Sequence, residues 1–440
     1  MSDRKRFAIV GTGGRSGMFI DAICKTYKDH AQLVGLCDLS PTRMGYWNRH
    51  IVDKLGGEAA PAFTADRFDE MVRQTKPDAV IVTTMDCHHH EYIIRALDLG
   101  CDAITEKPMT VDAEKAKAIF DAVERTGRKV RVTFNYRYQP AVTLMRQVVM
   151  EGKIGRPLLV DFMWTLDTSH GADYFRRWHR EKDKSGGLLV HKATHHFDLI
   201  NFWVGSIPRR VFAMGSLKFY GRDNARARGE ERPYARYTDA PGAERDPFAL
   251  NLRDGRGLQG LYLDAEQDSG YIRDRNVMGD PITIEDTMGV LAEYRNGVQL
   301  NYSLVAYSPW EGFKAAITGD KGRVEIYERH GSHIIKGQSD EELAVTQAKQ
   351  HIQEVTLFPM FGVPRKLEIP KATGGHGGGD GRILEQIFAP NPPEDPFKRG
   401  ATHIDGAASI LMGVAANRSI ATGQPVNVDD LLHLPDDIGR

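Results

Sequence analysis

FAIVGTGGRSG (Phe7–Gly17) is the stretch that decides the fold. Phe7–Val10 is apolar throughout, as a strand covered on both faces must be, and it runs directly into Gly11-Thr12-Gly13-Gly14-Arg15-Ser16-Gly17 and then a helical pattern. Gly11 permits a tight turn and Gly13 lets the backbone approach a pyrophosphate. The helix start beyond Gly14, Arg15 and Ser16 offers free N–H groups and a positive dipole end to an anion. In strict Gly-x-Gly-x-x-Gly spacing the third position falls on Ser16, and Gly17 comes one residue late. A second apolar strand, Leu33–Asp38, ends on a carboxylate suited to ribose hydroxyls. Asp38 repels a 2′-phosphate, while Ser40 and Arg43 stand close enough to receive one, so the pattern predicts NAD ahead of NADP.

Working outward, further strands read Ala79–Thr84, Ala103–Lys107 and Val130–Asn135, separated by helical stretches Asp21–Lys28, Phe68–Gln74, Tyr92–Leu99 and Ala113–Thr126. Apolar strands alternating with helices predict a parallel, doubly wound α/β sheet, a Rossmann domain over residues 1–138. After Gln139 the pattern changes. One helix (Val142–Glu151) leads into alternating strands at Leu158–Leu166, Arg209–Tyr220, Thr287–Ser308 and Phe313–Glu328, with hairpin turns at Arg295-Asn296-Gly297 and Gly319–Gly322. Residues 139–440 are therefore expected to form an α+β domain on a largely antiparallel sheet. Its last helix, His403–Thr422, is predicted to be amphipathic, stopped by Gly423 and Pro425, and to cover the sheet or return to the first domain. Asp223–Gly260, rich in Arg, Asp, Gly and Pro, reads as a long surface insertion, and the glycine-rich Gly374–Asp380 as a loop shaping a site.

Lys and Arg number 58 against 59 Asp and Glu, so no electrostatic footprint for nucleic acid or an anionic membrane exists, and a neutral small molecule is the expected partner. No run approaches the ~20 apolar residues of a membrane span, and no signal-peptide pattern precedes the first strand. Cys24, Cys37, Cys87 and Cys101 form no Cys-x-x-Cys pair and read as small buried hydrophobes. The expected compartment is the cytoplasm.

At Val82–His90 (VTTMDCHHH), Thr105-Glu106-Lys107-Pro108, Phe134–Pro140 (FNYRYQP) and Gly186–Asp198 the chain resembles the glucose–fructose oxidoreductase / inositol dehydrogenase / MocA (Gfo/Idh/MocA) family. The resemblance spans nearly the whole chain, with the insertion a departure. It implies that Glu106 and Lys107 flank a nicotinamide with Lys107 touching the substrate hydroxyl, that the Lys107–Pro108 bond is cis, and that His195 serves as acid/base. It further implies that Thr84 and His89 line the cofactor, that Asn135 and Arg137 hold hinge or nicotinamide-side positions, and that the protein is a homo-oligomer, a dimer or tetramer. Where many members carry an Asp four residues before the histidine, this chain has His191, which leaves open whether the base is His195 alone or a His191/His195 pair.

The residues suit that chemistry. Oxidising a secondary alcohol requires its hydroxyl proton to leave to a base. Histidine titrates near pH 6.5, and a lysine beside the same oxygen stabilises developing charge or, once desolvated, takes the proton itself. Lys107, His195 and His191 are thus the predicted catalytic residues. Tyr174, Arg177, Trp178 and His179 (in YFRRWH) are candidate carbohydrate contacts, followed by Tyr271, Arg273, Asp274 and His376. His191 and His195 at i and i+4 could hold a metal, but Lys192 stands where the zinc-protease pattern needs Glu, so no metal is expected. The leading expectation is an NAD(P)-dependent oxidoreductase acting on a sugar, cyclitol or related polyol. The alternative, known among relatives of this family, is glycoside cleavage by transient oxidation, elimination, hydration and re-reduction. A sensing or scaffold protein that merely kept the fold is the third reading.

Overall fold

The computed structural model describes residues 4–331, 351–371 and 376–435. Its first sheet has the strand order β15-β6-β5-β4-β1-β2-β3. Strands β1 (Lys5–Val10), β2 (Ala31–Asp38), β3 (Ala62–Thr64), β4 (Ala79–Val82), β5 (Asp102–Thr105) and β6 (Val130–Val132) pair in parallel. The edge strand β15 (Ala401–Thr402) pairs antiparallel with β6, Ala401 opposite Val132.

Side-chain alternation sorts the two faces. Phe7 and Ile9 of β1 and Ile81 of β4 join one core with Phe19, Trp47 and Phe388. Ala8, Val10, Val80 and Val82 face the other way, into a core continuous with that of the second sheet. The helices around this sheet are α1 (Ser16–Asp21), α2 (Pro41–Leu55), α3 (Phe68–Thr75), α4 (His89–Asp98), α5 (Ala113–Thr126) and α6 (Pro140–Met150). Of these, α3 to α6 form where expected, whereas the stretch expected as a helix over Asp21–Lys28 is the end of α1 followed by a π-helical turn, Ala22–Thr26. α2, absent from the sequence reading, begins at Ser40, whose side chain accepts the Arg43 N–H, and has Pro41 at its first position.

The second sheet has the order β14-β13-β12-β11-β7-β10-β9-β8-β16. Its members are β7 (Pro157–Asp167), β8 (Pro208–Ser216), β9 (Thr287–Tyr294), β10 (Gln299–Ser308), β11 (Glu311–Gly319), β12 (Gly322–Gly331), β13 (Ile352–Pro359) and the short edge strands β14 (Arg365–Leu367) and β16 (Val426–Asn427). All neighbouring pairs are antiparallel except β7 with β10. Helix His403–Thr422 has a capping box at Thr402 and Asp405 and ends at left-handed Gly423. It is not amphipathic: Asp405–Gly413 are buried without interruption. The reason is its position, with β8 and the Ala193–Val204 helix on one side and α5 and β6 on the other, so no face of its Asp405–Gly413 part meets solvent.

The Asp223–Gly260 stretch is likewise more than a surface loop. Tyr237, Thr238, Phe248 and Leu252 are buried, and ion pairs tie the stretch together and to the segment that follows it. Asp246 accepts from Arg232 and Tyr234, and Asp274 pairs with Arg236. Residues 374 and 375 of the glycine-rich stretch lie outside the described residues. From 376 on the chain makes one short turn and enters the Gly379–Phe388 helix. Among the described residues no helix is long and apolar enough to cross a membrane.

Candidate active site

The C-terminal ends of β1, β2, β4 and β5 open onto a cavity of about 630 Å³ that continues beneath the second sheet. This is where an open parallel sheet places its ligand. At one end the glycine loop has the shape a dinucleotide needs. Gly11 has φ +86°, and a Cβ there would stand 2.5 Å from the Thr84 nitrogen, so only glycine fits. At Gly13 nothing lies within 4 Å of where a Cβ would stand, which leaves room for a pyrophosphate against the backbone. Asp38, at the end of β2, accepts from the Thr12 N–H (2.5 Å) and hydroxyl (2.9 Å) and from the Ser40 N–H (2.8 Å), which anchors it at the mouth of the loop. The residues present therefore fit a nicotinamide dinucleotide.

Arg15, Glu106 and Asn135 form the floor. Arg15 Nε donates to Glu106 Oε1 at 2.8 Å, the Thr133 hydroxyl donates to the same oxygen at 2.9 Å, and Asn135 Nδ2 donates to Asp380 at 2.7 Å. His89, buried at the start of α4, lies 2.8 Å from the Pro108 carbonyl and 3.1 Å from the Thr84 carbonyl through its two ring nitrogens. That bridge fixes the loops after β4 and β5, which carry Asp86 and Lys107. The Lys107–Pro108 bond is cis.

Past this floor the cavity becomes a cluster of titratable groups. Lys107, His191 and His195 all line it. Burial, more than any neighbour, lowers the Lys107 ammonium, and Asp86 and Glu106 pull it partly back. His191 Nδ1 makes a short hydrogen bond with Asp86 Oδ2, and both side chains are buried. Burial pushes Asp86 up and His191 well down, so it opposes a charge on either partner. His195 lies flat against Tyr136, ring centroids 4.4 Å apart. His191 and His195 belong to two successive helical pieces, Leu188–His191 and Ala193–Val204, rather than one continuous helix. The third histidine of the run, His196, turns into the core, stacked on Trp164 and hydrogen-bonded to Tyr302.

The opposite wall is the Tyr174–His179 segment. The Tyr174 hydroxyl lies 3.0 Å from His170 Nε2, and His170 Nδ1 lies 2.7 Å from Glu311. Burial alone would raise Glu311, yet His170 and Lys192 hold its carboxyl down at about 2. Trp178 stacks on His179 with centroids 3.7 Å apart, and His179 meets His191 edge-on at 4.1 Å. His179 Nδ1 is buried and lacks a hydrogen-bond partner among the described residues. Burial and the nearby Arg177 and Lys107 keep its ring neutral. Arg177 is held by Asp173 at 3.1 Å, and Arg273 holds the same carboxylate at 2.7 and 3.1 Å. Lys192, lowered to about 8 by burial, lies over the Trp164 face, 4.7 Å from its centroid.

The structure thus brings Gly11, Gly13, Gly14, Arg15, Asp38, Arg43, Thr84, His89, Glu106, Lys107, Asn135, Tyr174, Arg177, Trp178, His179, His191 and His195 to one cavity. Ser16 stays behind the loop, its hydroxyl donating to the Gly13 carbonyl at 2.7 Å. Arg137 does not face a cofactor. It is 1% exposed and clamped between Asp198 and Asp405, because a guanidinium at this crossing between the sheets needs two carboxylates to be tolerated in the core. His376 starts a short turn, and its side chain lies outside the described residues. Sequence reasoning missed Asp86, His170, Asp173, Lys192 and Tyr262. Asp86 alone had a local signal, standing in the same VTTMDCHHH segment as His89. No group of three or more His, Cys, Asp or Glu placed to hold a metal occurs among the described residues.

Comparison with known proteins agrees with this geometry. Residues 5–134 match the model described as "Oxidoreductase family, NAD-binding Rossmann fold", and residues 146–428 match "Oxidoreductase family, C-terminal alpha/beta domain". The YteT protein of Bacillus subtilis (strain 168) is 33% identical over 98% of this chain and 99% of its own length. The levoglucosan dehydrogenase of Pseudarthrobacter phenanthrenivorans is 33% identical over 41% of this chain and 49% of its own length. Among solved structures, the aldose-aldose oxidoreductase of Caulobacter crescentus, complexed with glycerol, superposes with TM-score 0.62 at 17% identity, covering 97% of this chain and 100% of that one. The WlbA dehydrogenase of Bordetella pertussis, in complex with NADH and UDP-GlcNAcA, gives TM-score 0.64 at 18% identity over 99% and 100%. At these identities the two structures establish the shared fold.

Proposed function

Since this chain belongs to the Gfo/Idh/MocA family of NAD(P)-dependent oxidoreductases, we propose that it oxidises or reduces a secondary hydroxyl carbon of a sugar, cyclitol or related carbohydrate. The observation that carries this reading is the single cavity that joins the Gly11–Gly14 loop to Lys107, His191 and His195. A nicotinamide bound there would accept the hydride equivalent from the carbinol carbon. Lys107, half-buried and lowered, hydrogen-bonds the substrate oxygen and takes or returns its proton. With Nδ1–H directed at Asp86, His191 presents Nε2 as an acceptor toward the cavity, the arrangement in which a carboxylate fixes a catalytic imidazole. His195 lies against Tyr136 as the second acid/base. Trp178 and Tyr174 offer apolar faces to a ring, and Arg177 and His179 offer polar contacts to its hydroxyls. The test is to mix the protein with NAD and a panel of sugars and cyclitols, following reduced nicotinamide by absorbance and the keto product by mass spectrometry. No reduced cofactor with any member would sink the dehydrogenase reading.

The Asp86–His191 pair favours a second reading, redox-neutral glycoside cleavage. Transient oxidation of one ring carbon acidifies the neighbouring C–H, and elimination then needs a base separate from the one that serves the hydroxyl. Lys107 with His195 and Asp86 with His191 supply two such groups on one cavity. Cleavage of an aryl glycoside without net change in nicotinamide absorbance would select this route over the first. The outer face of the second sheet, lined by Asp161, Met163, Asn301, Lys314, Arg323 and Tyr327, is where we place self-association into a homo-oligomer, to be checked by sedimentation velocity.

A further inference from the structure

The second domain reaches across to the adenosine end of the dinucleotide site. Tyr262 Oη accepts from the Gly14 N–H at 3.1 Å, the Leu261 carbonyl accepts from Arg43 Nε at 2.9 Å, and Asp268 Oδ2 accepts from both the Ser40 hydroxyl (2.5 Å) and the Thr42 N–H (3.1 Å). Gly260 packs so tightly on Tyr46 that a Cβ would stand 2.6 Å from its ring. Most of these contacts converge on the start of α2. A 2′-phosphate is bound at such a place in a Rossmann domain, by helix-terminal N–H groups, a hydroxyl and an arginine just past the second strand.

Here the chain's own groups hold those donors. Asp268 takes Ser40 Oγ and Thr42 N, Leu261 takes Arg43 Nε, and Arg43 Nη1 lies 3.7 Å from Asp38. Arg43 Nη2 has no hydrogen-bond partner among the described residues, but a phosphate reaching it would also meet the carboxylates of Asp38 and Asp268. We propose that Asp268, carried by the second domain, is a specificity-determining residue that excludes NADP(H) by holding the 2′-phosphate position. The proposal rests on the dinucleotide site alone and is independent of the substrate.

The test is equilibrium titration of the whole protein with NADH and with NADPH, read by nucleotide fluorescence, for the wild type, Asp268→Asn and Asp268→Ser. Like charges brought together at a binding site are strongly unfavourable, so the wild type should bind NADH at least about tenfold more tightly than NADPH. Both substitutions should improve NADPH binding by about tenfold or more while changing NADH binding by less than about threefold. The NADPH-to-NADH ratio within each protein is its own control, since misfolding lowers both affinities together. NADH binding with a ratio that ignores residue 268, or a wild type that binds both nucleotides alike, overturns the proposal alone. A wild type that binds neither overturns the cofactor reading as well.

Discussion

Replacing Arg137 by Met removes the one cation that, among the described residues, forms an ion pair with the buried carboxylates of Asp198 and Asp405. Arg137 donates to Asp198 at 2.8 and 2.5 Å and to Asp405 at 2.9 Å, with Arg137 and Asp198 side chains each 1% exposed. Breaking a buried ion pair by deleting one partner costs about 3–5 kcal/mol, because the survivor stays charged and dry. Unfolding entropy of about 2.1 cal/mol/K per residue, over 440 residues unfolding as one unit, is ~0.9 kcal/mol/K. The melting temperature should therefore fall by about 3–5 °C at pH 8. The loss should also depend on pH. Burial pushes Asp198 up and Arg137 draws it back, while burial likewise raises Asp405 and Arg137 with the Thr402 hydrogen bonds brings it below its ordinary value. Without Arg137 nothing draws Asp198 back from the upward push of burial, and at Asp405 only the Thr402 hydrogen bonds oppose it. Carboxyls whose folded pKa lies above the unfolded value destabilise at high pH and are relieved as pH falls toward the unfolded value. The gap between wild type and variant should thus shrink from pH 8 to pH 5 in circular-dichroism melts, and Asp198→Asn added to Arg137→Met should recover part of it. A shift under about 1 °C, or one equal at both pH values, would refute the reasoning.

Asp86→Asn should lower kcat by roughly 10²- to 10⁴-fold with little change in KM, since an amide no longer fixes the His191 tautomer. The same change should move the acid limb of kcat/KM to lower pH, because Asp86 is the largest influence raising Lys107, and an unmoved limb would separate Lys107 from the proton transfer. Gly11→Ala should weaken NADH binding by at least about a hundredfold in a fluorescence titration, because a side chain at φ +86° would strike the Thr84 backbone. Burial pushes the thiols of Cys24 and Cys101 to about 11 and that of Cys37 to about 12. Native protein at pH 8 should therefore show no more than one fast thiol with a disulfide reagent and four after denaturation, and two or more fast thiols would contradict the packing.

The elements that were legible in the sequence are those whose signals are local. The apolar runs of β1, β2 and β4 mark strands buried on both faces, and α5 is bounded by Asp112 as cap and Gly127 in the left-handed region, so its limits were readable to the residue. What sequence could not supply was the set of side chains that meet through space. Asp86 and His191 are 105 residues apart, and nothing in either segment announces the other. Arg137 sits in a family-like FNYRYQP segment that suggested a cofactor contact, but its partners Asp198 and Asp405 come from two distant helices. The His403–Thr422 pattern looked amphipathic because small residues and serines alternate with large apolar ones. Small residues are also what a helix needs to pass between two layers, and Gly413 would otherwise strike the Leu189 carbonyl. The 261–271 strap was hidden by its polar composition, which resembles any exposed loop until Asp268 is seen against Ser40.

The pairing of Ala401 with Val132 has a consequence for biosynthesis. A nascent chain that has released residues up to Tyr138 from the ribosome has every parallel strand of the nucleotide-binding sheet, yet β6 remains an open edge. Met109 and Val132, which Gly406 later packs against, stay uncovered for the whole time the second sheet is being synthesised. The first sheet is completed only after Ala401 and Thr402, which follow β7 to β14 in the sequence, have been translated. Ribosome-stalled chains ending before residue 400 are therefore the species expected to recruit chaperones, and a premature stop there should yield aggregation rather than a free-standing nucleotide-binding domain.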